Sequence, residues 1–227
     1  MPIFKTVNSN FFKTWSPEMA YVLGFFTADG SMIKNKRGTH FIEFDITDKN
    51  LLYRIRELLG SNHKITERHR GDNYKNSYRL QIGSKEIFNN LIELGMTPNK
   101  SKTIRLPRIP EKYFSDFVRG YFDGDGCISY GIYNRKDRKS KFYLFGSRFT
   151  SGSRKFLESL LKKFQKNKIT KRGFIYNKKR GVDLVFSTND TKNLFKFMYG
   201  DVKCGLFLQR KYDKFFKGLK LLENHIL

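Results

Sequence analysis

Histidine and cysteine are scarce in this chain of 227 residues, with four of the first and two of the second. Cys127 and Cys204 alone make no disulfide framework, which excludes a small stapled scaffold. His40, His63, His69 and His225 show no zinc-ligand spacing with them, which argues against a zinc finger, a His–Cys nuclease and a zinc deaminase. No run of about 18 apolar residues occurs, so no bilayer-spanning helix is expected. Met1 to Trp15 has no long apolar stretch followed by a small-residue cleavage site, so the expectation is an intracellular, reducing compartment and no secretion. Neither a GxxxxGK[ST] loop nor GxGxxG is present, which leaves nucleotide hydrolysis and dinucleotide chemistry without support. Acidic residues are also few. Asp and Glu total 21 against 45 Lys and Arg, for a net charge of +24 and a pI near 10.0.

Apolar side chains are not lacking. Hydrophobic residues make up 39% and aromatics 16% of the chain, so it can bury a core, unlike a disordered basic tail. The charge invites a polyanion, nucleic acid first and an anionic membrane surface second. The length allows one large domain or two of roughly 110 residues.

Internal repetition favours two. Tyr21-Val-Leu-Gly-Phe-Phe-Thr-Ala-Asp-Gly30 matches Phe117-Val-Arg-Gly-Tyr-Phe-Asp-Gly-Asp-Gly126. Lys64–Arg68 is echoed by Lys168–Arg172, Asn89–Gly95 by Asn193–Gly200, and Asn99–Thr103, loosely, by Leu208–Tyr212. Phe117 follows Tyr21 by 96 residues and Lys168 follows Lys64 by 104, which puts extra residues early in the second half, around Gly131–Lys141. The expected layout is a first domain over 1–104, a linker over 105–111 containing Leu106-Pro-Arg-Ile-Pro110, and a second domain over 112–227.

Each half reads as helix, two strands, helix, two strands, helix. Ser16 is a helix N-cap followed by Pro17 at the first helical position, and Gly30 is placed for a left-handed C-cap. Phe41–Thr47 alternates as a strand, and Asp48–Leu59 has helical apolar spacing ended by Gly60. Lys64–Arg70 and Ser77–Gly83 read as a hairpin around Gly71, and Ser84 caps a helix to Leu94. In the second half the corresponding segments are Tyr143–Thr150, Arg154–Phe164, Lys168–Asn177, Val182–Ser187 and Asp190–Tyr199. The fold class expected is α+β: two pseudo-symmetric αββαββα units, each with an antiparallel sheet.

The repeated helix is unusual in two ways. Small residues recur four apart, Gly24 and Ala28 in one copy, Gly120 and Gly124 in the other. A glycine inside a helix costs about 1 kcal/mol against alanine and is accepted where another backbone comes close. Its repetition favours packing of the two helices on each other over a glycine tolerated in one core helix. Both copies also end in an aspartate, Asp29 and Asp125, where the helix dipole disfavours a carboxylate. One Asp-Gly would be an ordinary turn. Two on touching helices bring carboxylates together, and like charges so placed need a cation; hard oxygen donors point to Mg²⁺.

Val22–Gly30 and Val118–Gly126 resemble the LAGLIDADG motif of homing endonucleases, with glycine third, a small residue seventh and Asp-Gly last. Asp123 keeps the acidic sixth position; Thr27 departs from it. Two motifs in one chain resemble the monomeric, pseudo-symmetric members, and the likeness runs from about Ser16 to Leu219. The resemblance implies paired motif helices at the domain interface and saddle-shaped sheets that straddle duplex DNA. It implies hydrolysis of one phosphodiester on each strand, with 3′ overhangs left behind. Metal would be held at Asp29 and Asp125 and the residues before them, Ala28 and Gly124. Mg²⁺ would be the cofactor, with Mn²⁺ substituting and Ca²⁺ supporting binding without cleavage. Lys102 and its repeat Lys211 match the family's basic residue near each site, although in so basic a chain either could be a solvated charge. Asp45 and Arg148, the latter with Ser147 as a one-residue alternative, fall at the polar second-strand position.

DNA recognition is expected from alternating strand residues: Arg79 and Gln81 on one strand, Thr66, Arg68 and Arg70 on another, and Thr170, Arg172 and Tyr176 in the second half. Lys34, Lys36 and Arg37, and Arg135 to Lys141 with Arg135 and Lys139, are expected in phosphate-contacting loops. The partner would be double-stranded DNA, with no membrane and no small-molecule substrate. The alternatives are an RNA-splicing maturase and a cleavage-inactive DNA-binding relative. Gly131-Ile-Tyr133 is half of a GIY-YIG signature, but no Tyr-Ile-Gly follows at a suitable distance.

Overall fold

The structure is a computed structural model, and it describes residues 4–69, 71, 75–134 and 140–226. Ser16 accepts the backbone N–H of Met19 and starts α1 (Pro17–Asp29). There follow β1 (Gly30–Lys34), β2 (His40–Ile46), α2 (Lys49–Leu58), β3 (Ile65–Arg68), β4 (Ser77–Gly83) and α3 (Lys85–Glu93). Asp48 and Ser84 cap α2 and α3 by accepting from Leu51 and Ile87. The second half repeats the order with α4 (Phe114–Asp125), β5 (Gly126–Asn134), β6 (Lys141–Ser151), α5 (Arg154–Lys166), β7 (Phe174–Lys178), β8 (Gly181–Phe186) and α6 (Thr188–Tyr199). An eighteen-residue helix, α7 (Gln209–Ile226), follows, and among the described residues the first half has no equivalent of it.

Both sheets are antiparallel and share one order, β1-β2-β4-β3 and β5-β6-β8-β7. One face of each sheet is apolar and packs on helices; Ile42, Phe44 and Ile46 in β2 correspond to Ser147, Phe149 and Ser151 in β6. The extra residues of the second half lie in a longer β5–β6 hairpin, the region expected for them.

Helices α1 and α4 join the halves. Every residue from Met19 to Thr27 is buried, because α1 packs on its own sheet on one side and on α4 on the other. A Cβ on Gly24 would lie 2.0 Å from the Phe117 carbonyl oxygen, and one on Gly120 2.0 Å from that of Tyr21. A Cβ on Gly124 would lie 2.4 Å from that of Ala28. The small residues therefore serve backbone-to-backbone approach, as the repeat implied.

Several local expectations give way. Gly30 is extended, at φ −79° and ψ 154°, and so is Gly126; each opens a strand without a left-handed cap. Glycine is needed for space: a Cβ would lie 2.2 Å from the ring of Phe26 or Phe122, one turn back. Lys168 to Arg172 is not a strand. Lys168 takes the left-handed conformation at φ 55°, and the strand begins at Phe174. Register shows the reason. Ile65 pairs with Leu80 and Ile175 with Leu184, so Ile65 corresponds to Ile175 and the echo of Lys64–Arg68 in Lys168–Arg172 has no structural counterpart. Thr170 is consequently buried, and Arg172 uses its backbone N–H to reach Asp190.

The last helix completes the second core. Phe215 of α7 is fully buried against Phe122, Phe145, Phe195 and Tyr199. The loop leading into it is tied down by Arg119, also fully buried. Its guanidinium donates to the carbonyls of Leu206 (2.8 Å) and Met198 (2.9 Å) and to Asp116 (2.5 Å).

Candidate active site

The ends of α1 and α4 bring Asp29 and Asp125 together between the two sheets. Asp29 Oδ2 lies 3.1 Å from the position of a Gly124 Cβ, so it sits against the last turn of the other helix. Asp29 opens on a cavity of about 220 Å³ lined also by Asp45, Ser77, Asp123 and Arg210. Surrounding protein and then the charge of Asp125 push its pKa up to about 6, against the lowering pull of Lys211, Lys100 and Arg210. Asp125 is raised too, by burial. Among the described residues, no hydrogen-bond donor reaches either carboxylate. Two acidic groups that sit against each other at the helix ends and lack donors are the place where a hard cation would fit.

Asp123, one position before the motif's last glycine pair, has a different environment. It is fully enclosed and accepts from Tyr21 Oη (2.8 Å), Tyr199 Oη (3.2 Å) and the Leu208 N–H (2.8 Å). It clasps α1, α6 and the start of α7. Its counterpart Thr27 donates to the Leu23 carbonyl within its own helix.

Two buried lysines flank the carboxylates. Lys211, in the first turn of α7, donates to the carbonyls of Phe122 (2.7 Å) and Gly124 (2.9 Å) over the ring of Phe122. On the other side the residue is Lys100, which donates to the Gly30 carbonyl over the ring of Phe26. Lys102, expected there, is exposed. A short 3₁₀ turn over Lys100–Lys102 directs the earlier lysine inward, and the loose sequence repeat concealed that shift. Burial lowers Lys100 and Lys211 to about 8, while the aspartates hold them up. The carbonyl of Gly124 is thus already shared with Lys211, and the Cβ of Ala28 faces Gly124 across the helix pair.

On the first sheet, Asp45 of β2 lines the same cavity as Asp29. Partial burial raises it, but the Ser77 hydroxyl, Arg68 and Arg79 outweigh this and hold it below its ordinary value. Arg148 is not its counterpart. Phe44 lies opposite Gly30 and Phe149 opposite Gly126, so Asp45 corresponds to Thr150 and Arg148 to Glu43. Ser147 points into the core and bonds Thr191 (3.1 Å). Arg148 lies instead 3.8 Å from Asp183 on the sheet's open face.

The expected DNA-facing residues of the first half converge. Arg68, Arg79 and Gln81 share the open face with Glu43 and Asp45, bonded as Arg68–Asp45 (3.0 Å), Arg79–Asp45 (3.3 Å) and Gln81–Glu43 (2.5 Å). Thr66 is exposed beside them, and Lys34, Lys36 and Arg37 are exposed at the β1–β2 turn. Tyr176 is exposed on β7. Arg70, Arg135 and Lys139 lie outside the described residues. The sequence reading missed Lys100, Arg119 and Arg210.

Residues 16–94 match the model of the LAGLIDADG-like domain family. Curated relatives include an uncharacterized protein of Methanocaldococcus jannaschii, 28% identical over 50% of this chain and 40% of its own length. A second is the probable translation initiation factor IF-2 of Thermococcus kodakarensis, 45% identical over 27% of this chain and 5% of its own. The chain thus spans less than half the length of the curated relatives it matches. Among solved structures, the LAGLIDADG homing endonuclease I-LtrWI bound to target DNA is 14% identical, with TM-score 0.62 over 96% of this chain and 92% of that one. I-SmaMI bound to uncleaved DNA with calcium ions is 14% identical, with TM-score 0.63 over 94% of both chains. Residues 16–94 are therefore a LAGLIDADG-like domain, and the chain as a whole has the two-domain α+β fold of the LAGLIDADG homing endonucleases.

Proposed function

We propose that this protein is a divalent-metal-dependent, site-specific endonuclease that acts as a monomer on duplex DNA. It hydrolyses one phosphodiester on each strand and leaves 3′ overhangs. The observation that carries the reading is the pair of donor-free carboxylates, Asp29 and Asp125, at the joined helix ends between two open sheet faces. Asp29 and Asp125 would hold Mg²⁺, which supplies polarisation of the scissile phosphate and an activated water. Mn²⁺ is expected to substitute, and Ca²⁺ to support binding alone.

The chain's own groups do the rest. Lys100 and Lys211 bring positive charge within reach of a phosphate placed over the carboxylates. An ammonium has three donors, and Lys211 uses two on carbonyls, which leaves one for a phosphate oxygen. Their pKa values near 8 keep both largely protonated at neutral pH. Asp45, Ser77 and Arg210 line the approach on the first side. The open sheet faces supply contacts to the groove, and the basic surface supplies contacts to phosphates.

Retention of both aspartates favours cleavage over binding alone. Asp29→Asn and Asp125→Asn should each reduce double-strand cleavage in Mg²⁺ by at least about 10²-fold, on the scale of losing one transition-state contact. Duplex affinity in Ca²⁺ should persist. Supercoiled plasmid carrying a selected site reads both, and unchanged linearisation by either variant overturns the site.

A further inference from the structure

The two sheets present unlike chemistry at equivalent positions. Register equates Gln81 with Val185, through Glu43 and Arg148 on the strands beside them. It equates Thr66 with Tyr176, and Lys64, one residue before β3, with Phe174. Two of these changes run from polar to apolar and the third brings in the ring of a tyrosine, all on the open face. Arg148, Thr150, Asp183 and Lys178, which replace Glu43, Asp45, Arg79 and Arg68, keep the rest of that face polar. Phe174 is 53% and Tyr176 54% exposed, with ring centroids 6.4 Å apart. Beside them a groove of about 410 Å³ is lined by Leu144, Phe174 and Val185, with Arg148, Ser129 and Thr188 also in its wall. Gly146 stands where the first sheet has Phe41, which deepens the groove. On the first sheet the same area holds the network of Glu43, Gln81, Asp45, Arg79 and Arg68.

We infer that the two halves read their DNA half-sites by different chemistry: the first by hydrogen bonds to base edges, the second by apolar contact with the C5-methyl groups of thymines. This rests on the proposed DNA-binding reading and names the substrate class within it. The occupant of the apolar face follows from its position. It continues the surface that in the first half carries Arg79 and Gln81, in a chain of net charge +24. In the major groove the apolar feature of a base pair is the thymine methyl, whereas the other groups are donors and acceptors that Val185, Phe174 and Leu144 cannot satisfy. Cytosine or guanine under this face would leave polar edges desolvated. The half-site beneath the second sheet is therefore thymine-rich, and the one beneath the first has mixed sequence.

The test starts from a randomised duplex pool selected for binding to the full chain in Ca²⁺. The selected duplex is resynthesised with deoxyuridine for thymidine in one half at a time, which removes the methyl and leaves every hydrogen-bonding group. Substitution in one half should weaken binding about fourfold for each methyl in contact, from about 0.8 kcal/mol for a buried methyl-sized group. Substitution in the other half should have little effect. Val185→Gln and Tyr176→Thr, which install the first half's residues at open-face positions, should abolish the deoxyuridine effect in the sensitive half alone. Equal sensitivity of the two halves, or none, overturns the inference while leaving a DNA-binding protein. Failure to enrich any duplex overturns the DNA reading itself. Enrichment from a single-stranded RNA pool run in parallel would point to base stacking on Phe174 and Tyr176 and against methyl readout.

Discussion

Asp29 and Lys211 of the proposed site show opposite responses to one environment. Surrounding protein disfavours charge on both and Asp125 adds to it for Asp29, so the carboxyl rises to about 6 and the ammonium falls to about 8. Because the folded value of Asp29 lies above its ordinary 3.8, its contribution to stability is full below about pH 4 and fades as pH rises through 6. A bound cation cancels that penalty. Mg²⁺ should therefore raise the melting temperature more at pH 7.5 than at pH 5, as scanning fluorimetry of the chain alone would show. An equal rise at both pH values would contradict cation binding at these carboxylates. In sequence, the two aspartates were legible because motif and repeat marked them. Lys100 was not, since one turn of 3₁₀ helix decides which of two lysines faces inward.

The pair α1 and α4 is the element on which the site depends. Its glycines are read directly from the four-residue spacing, and the structure shows backbone where a Cβ on Gly24 or Gly120 would stand. Gly120→Ala should gain about 1 kcal/mol of helix propensity. It should lose more by overpacking, for which about 1–3 kcal/mol is usual and which here meets backbone with no flexible chain end to yield. The urea midpoint should fall; a rise would refute the close approach. By contrast, α7 was not foreseen, although Phe215 and Leu222 bury fully. The repeat supplied the segmentation, and the first half passes from Lys102 toward the next helix without a counterpart. The strand β7 was misplaced for a related reason. A short basic echo at Lys168–Arg172 imitates β3, while pairing with β8 places the strand six residues later.

At the scale of the molecule, two sheets of one topology flank one helix pair, with the carboxylates between them. Counting phosphate contacts gives a further expectation. A duplex spanning both halves should touch about 6–10 phosphates, so affinity should fall roughly 10³–10⁵-fold between 50 and 200 mM salt. Titrations by fluorescence anisotropy in Ca²⁺ measure this, and a flat response would exclude the paired-sheet surface. No helix among the described residues is long and apolar enough to cross a membrane.

The amino-acid sequence by itself determined the duplicated architecture, the helix pair and the two aspartates. Each of these is written in local spacing: small residues four apart, a repeated Asp-Gly, alternating strands. Only the tertiary structure decided which lysines flank the carboxylates and which strand residues correspond between halves. Strand periodicity is two, so a shift in register moves every side chain to a new partner or a new face. Alternation alone leaves that register open, and hydrogen bonding between strands distant in sequence closes it. The apolar patch on the second face, where the first is polar, became visible only when Gln81 and Val185 were seen to occupy one place in two copies of the fold.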